Sequence, residues 1–186
     1  MGESSLPFDA GWLRSLLLIT FASIACWTDL TDRRIPNTLC GVALAVGLSF
    51  FFLEGGLRGL ISSLLGVVCA GGVFLIFYAL GGFGAGDVKL IGSLGSLVGF
   101  RLSFRFIVYV ALAGGVLGVL VLIRHRALGK GLMKSFRRIF HPLEEVTPPE
   151  ETPGVGDVDA EGIPRSVPYG VAVLAGVLML YLEGSL

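Results

Sequence analysis

Two aspartates stand where an apolar chain has little reason to carry any. Asp87 lies in GGFGAGDVKL, residues 81–90, between two of the most apolar stretches, and Asp29 closes another apolar stretch in CWTDLTDRRIPN. An ionisable group at the edge of a bilayer costs roughly several kcal/mol, so each is a candidate for chemistry. Two carboxylates held at one membrane depth resist joint ionisation and can share a proton. Such an arrangement is what a water-activating acid/base pair requires.

Each acid also has a purely structural reading. Gly84 and Gly86 precede Asp87 and leave room for an extended peptide beside its carboxylate. The same string is a glycine-rich turn in which Asp87 could cap the next helix. Asp29 has a rival in Asp32, one turn on, and Arg33 and Arg34 read as loop anchors before Pro36 and Asn37 open the following helix. No HExxH, Ser/His/Asp or Cys/His set competes: the two histidines, His125 and His141, fall in a polar segment. Cys26, Cys40 and Cys69 form no CxxC pair and are read as packing residues, so neither a disulfide framework nor a metal site is expected.

The elements that must hold these acids follow from composition. The chain has 186 residues, is 54% hydrophobic and only 15% charged, with a mean hydropathy of +0.84. A soluble domain of this length could not hide so much apolar surface, which makes the expected fold all-α, a polytopic membrane helix bundle. Twenty-eight glycines suit close packing of helices in lipid. A crossing needs roughly 20 residues. The apolar pattern yields about six transmembrane helices, near 12–29, 37–54, 58–80, 86–102, 104–123 and 166–183; the fourth is the shortest of the six and contains Lys89. Glu3 and Asp9, with no Lys or Arg before residue 14, are the wrong flank for a secretory leader, so the first apolar stretch is read as a retained helix.

Basic residues orient the bundle. With both termini outside, nine lie on inner loops (Arg33, Arg34, Arg124, Arg126, Lys130, Lys134, Arg137, Arg138 and Arg165) against four on outer flanks. The positive-inside rule favours that arrangement, and it brings Asp29 and Asp87 to the same, cytoplasmic, face. Residues 124–165 then form a cytoplasmic loop within a single domain, 1–186. Its 127–140 stretch separates Lys130, Lys134, Arg137 and Arg138 from an apolar arc containing Leu132, Phe136 and Phe140, which predicts a helix lying on the membrane surface. The following 142–161 stretch is acidic and proline-rich and cannot form a core. Formal net charge is zero, so nothing points to nucleic acid.

Taken together, these motifs resemble the type IV prepilin peptidase family of membrane aspartyl proteases. Asp29 seven residues before Pro36 matches the family's first acid motif, and Gly84, Gly86 and Asp87 match its GxGD. Lys89 follows two residues after the second acid, and Pro168-Tyr169-Gly170 with Ala172 is similar to the segment opening the family's last helix. The resemblance implies catalytic Asp29 and Asp87, with Gly84, Gly86, Lys89, Pro36 and Tyr169 supporting substrate or site. It implies cleavage of prepilin or pseudopilin precursors at the cytoplasmic face of the plasma membrane, with no cofactor. The membrane lipid is the other expected partner, along with a homo-oligomer. With no CxxC pairs, the chain is similar to the short members associated with Flp/Tad-type pili, for which cleavage without methylation is expected. The alternatives are another GxGD intramembrane protease and a non-enzymatic transport or assembly component.

Overall fold

The structure is a computed structural model and describes residues 10–32, 34–80, 84–124 and 169–184. Among these residues every regular element is a helix: α1 Ala10–Asp32, α2 Asn37–Ala79, α3 Ala85–Arg124 and α4 Tyr169–Leu182. The three longest are long and apolar enough to cross a membrane. At 1.5 Å per residue α1 measures ~35 Å, against a hydrocarbon core of ~30 Å. It ends before Ile35 because Pro36, at φ −62° and ψ 129°, holds the chain extended and disfavours helix in the residue before it.

Helices α2 and α3 are each broken once. Gly56, at φ 57° and ψ −137°, divides α2, and Gly99, at φ 72° and ψ 170°, divides α3. Both conformations are closed to residues carrying a Cβ, which places a reversal of direction where a straight helix would overshoot the bilayer. Unbroken, the 43 residues of α2 would extend ~65 Å. Instead the chain folds back so tightly that Gly59 lies against the Phe51 carbonyl. The division of α2 agrees with the expected helices 37–54 and 58–80. In α3 the break comes earlier than the expected 102–104 turn. The positive-φ glycine decides its place.

Contacts give the directions. Asn37, Ala43 and Phe51 meet Lys89, Ser96 and Gly99 in turn, so the first limb of α2 runs parallel to the first limb of α3. Gly66 meets Gly95 and Gly71 meets Gly92, so the second limb of α2 runs antiparallel to it. Ser63 Oγ donates to the Ser96 carbonyl at 2.8 Å between them. In the second limb of α3, Arg105 and Tyr109 bind Glu183 at 3.3 and 2.7 Å, and Val110 packs on Gly176, which makes α4 antiparallel to that limb.

The expected fourth helix, the shortest of the set, forms the centre of the bundle. Residues 90–98 of α3 are buried without interruption, and Leu90, Ile91, Leu94 and Leu97 are fully enclosed. This limb, 85–98, extends only ~21 Å. The shortfall lies at the end away from the acids, because Lys89 is level with Asn37 while Gly99 stands beside Phe51, before the α2 reversal. Of the three cysteines read as packing residues, Cys26 and Cys40 are buried and Cys69 is half-buried. Trp27, Leu53, Phe104 and many other large apolar side chains face outward, the inverse of a water-soluble surface and suited to lipid. Residues 127–140 and the acidic stretch 142–161 lie outside the described residues.

Candidate active site

Helix α1 buries one stripe, Leu18, Ala22, Ala25 and Cys26, at helical spacing. Asp29 is the next position on that stripe and is 8% exposed, whereas Asp32, one turn further along at the last residue of the helix, is exposed. Burying a carboxylate is costly unless it is hydrogen-bonded. Here the partner comes from 141 residues away: the Gly170 N–H donates to Asp29 Oδ2 at 2.6 Å. The first amides of a helix have no partner inside it and carry its positive end. Asp29 thus supplies an acceptor for the first turn of α4, and α4 in return anchors Asp29.

Asp87 stands in the first turn of α3 and is half-buried. Its backbone N–H donates to the Gly84 carbonyl at 3.2 Å, and its Oδ2 accepts from the Gly84 N–H at 3.3 Å. This reciprocal pairing closes the glycine turn around the acid. The helix begins at Ala85, so Asp87 lies inside its first turn and is not the residue capping it. Gly86 faces Ile35, whose Cβ would lie 3.7 Å from a side chain placed there. The Ile35–Pro36 link between α1 and α2 therefore runs alongside the α3 terminus. Through it, and through α4, the two acids come to one end of the bundle and lie within electrostatic reach of each other.

Tyr169 is the hinge of this arrangement. Its hydroxyl donates to the Val110 carbonyl at 3.2 Å, its ring fills the space left by Gly114, and Phe74 meets it edge-on at 6.4 Å between centroids. It also lies within the field of Asp87. Tyr169 thereby fixes the start of α4 against α2 and α3, and with it the Gly170 amide that holds Asp29.

The remaining sequence-expected residues fall into two groups. Pro36 sets the turn, its carbonyl accepting from the Leu39 and Cys40 amides at 3.1 and 3.4 Å. Lys89 points elsewhere: two residues after Asp87 it is roughly 200° around the helix, and its amine donates to Asn37 Oδ1 at 3.2 Å. Sequence reasoning overlooked Gly114 and Phe74, which shape the seat of Tyr169, and the role of the Gly170 amide. The paired glycines 114–115 within an apolar run were the available signal for the first. Nothing local signals the others.

A sequence model of the type IV leader peptidase family matches residues 16–119, more than half of the chain. The chain belongs to this family. Membership makes it a protease, and its long apolar helices make it a membrane protein. The matched region contains both aspartates, the Ile35–Pro36 link and the glycine turn, while α4 lies beyond it. No curated protein and no solved structure matches the chain.

Proposed function

We propose that the chain is an aspartyl endopeptidase that removes the short basic leader of prepilin or prepilin-like precursors at the cytoplasmic face of the membrane, using Asp29 and Asp87. What supports this reading is that the segments carrying the two acids lie at one end of the bundle, where Gly86 faces Ile35, and that Asp29 is buried and held by a backbone amide from a third helix. A buried acid serving only to join helices would need no second acid beside it, since like charges oppose each other.

In the proposed reaction the pair holds one proton. The ionised carboxylate removes a proton from water, whose oxygen bonds to the scissile carbonyl carbon as the other carboxyl protonates the carbonyl oxygen. Collapse of the tetrahedral intermediate breaks the C–N bond: the carboxyl that took the water's proton protonates the leaving amine, and a hydroxyl of the intermediate gives its proton to the other carboxylate, leaving the pair with one proton again. That proton belongs to the pair and not to either residue. Gly84 and Ala85 are small and exposed, which leaves room beside Asp87 for an extended peptide to approach.

Co-expression with candidate precursors, scored by the mobility shift of leader removal, tests this. Asp29→Asn and Asp87→Asn should each abolish the shift while the protein still inserts, because asparagine keeps size and hydrogen bonding but cannot cycle a proton. Full cleavage by either variant would falsify the pair.

A further inference from the structure

On the side of α3 turned away from Asp87 is a cavity of about 520 Å³. The two limbs of α2 form its walls and α3 its floor. Gly41 and Leu44 line one wall and Val68 and Gly72 the other, so the interior is apolar, and Gly41 and Val68 are exposed on the outer surface of the bundle. At its mouth stand Asn37 and Lys89, with the lysine amine held by the neutral amide oxygen of Asn37. Gly41 and Gly72 have open space where a side chain would be.

We infer that this groove binds a phospholipid with an anionic headgroup, its acyl chain between the limbs of α2 and its phosphate at Lys89. Length favours a lipid over a transmembrane peptide. The walls run through residues 37–44 and 67–75, up to ~12 Å of helix. One leaflet of hydrocarbon measures ~15 Å, and a spanning helix needs about twice that. A groove one leaflet long, apolar inside and cationic at the end where the acids lie, has the polarity of a lipid entering from the leaflet on that side. The charge is also wrong for a basic leader, which Lys89 would repel.

The test is native mass spectrometry of the full-length chain, purified in detergent and exposed to phosphatidylglycerol or phosphatidylcholine with identical acyl chains. The most tightly held lipid should be phosphatidylglycerol by about fivefold, the factor one lysine contributes at an anionic surface. Lys89→Gln should bring that ratio to one. Gly41→Leu and Gly72→Leu, which fill open space, should reduce retention of both lipids. Gly115→Leu, also in open space but outside the groove, should not. Because the readout needs no cleavage, Asp87→Asn should keep the full preference, which separates this inference from the proposed peptidase activity. Equal retention of the two lipids, or a ratio unchanged by Lys89→Gln, overturns it. Groove-filling variants that keep their lipid but no longer bind a precursor's apolar helix would assign the groove to peptide and overturn it as well.

Discussion

Gly170 carries more of the site than its size suggests. A methyl group there would stand 3.0 Å from both the Asp29 Cβ and the Cys26 Cα, with Asp29 Oδ2 at 3.1 Å. Backbone cannot yield as a flexible side chain can, so Gly170→Ala should push α4 away from α1 and pull the amide off Asp29. Because small displacements of catalytic groups are costly, precursor cleavage should fall by about tenfold or more in a co-expression time course. Gly115→Ala, which enters open space, should cleave normally. The choice between the two aspartates of the α1 terminus is made at the same scale. Asp32, the last residue of the helix, is exposed, so Asp32→Asn should retain most activity where Asp29→Asn retains none. Unimpaired cleavage by Gly170→Ala would show that the 2.6 Å bond is incidental to the site.

Among the elements, the two broken helices determine where the acids end up. The reversal at Gly56 returns α2 to the end from which it started, and the break at Gly99 sends α3 back past α4. Forcing a residue with a Cβ into these positive-φ conformations costs ~1–3 kcal/mol. Gly99→Ala adds a collision, because its Cβ would lie 2.6 Å from Phe51 Cζ. Both Gly56→Ala and Gly99→Ala should therefore lower the unfolding midpoint in detergent, Gly99→Ala by more. Gly118→Ala, inside a regular helix with nothing within 4 Å, should leave it unchanged or raise it, by up to ~1 kcal/mol in stability. A Gly99→Ala variant as stable as the parent would mean that the backbone there adopts another conformation.

For the whole molecule the open quantity is its direction across the membrane. The distribution of basic residues predicts both termini outside and 124–165 inside. Reporter fusions after Leu186 and within 148–160 should therefore give opposite signals, and matching signals would mean that the crossing expected at 166–183, which alone separates the two points, fails. The 127–140 stretch, proposed as a surface helix, should bind anionic vesicles as an isolated peptide and lose that binding when its four cations become glutamine. Equally weak binding to neutral and anionic vesicles without helicity would dispose of the proposal.

Local chemistry made much of this chain readable from its residues. Apolar runs of bilayer length name the helices, and an acid embedded in apolar sequence is conspicuous because its desolvation has to be compensated. The same reasoning leaves Asp29 and Asp32 equivalent until the family motif or the fold separates them, because both are acids on the last turns of one helix. Only tertiary packing buries one and exposes the other. It also brings the Gly170 amide to Asp29 across 141 residues, seats Tyr169 in the hollow at Gly114 and turns Lys89 towards Asn37 instead of the acids. Those outcomes depend on which faces of separate helices meet, and in a chain so uniformly apolar the pattern within each helix barely marks one face from another. Hydropathy thus determines that the helices cross; close approach at small residues and a few hydrogen bonds between helices determine how they pack.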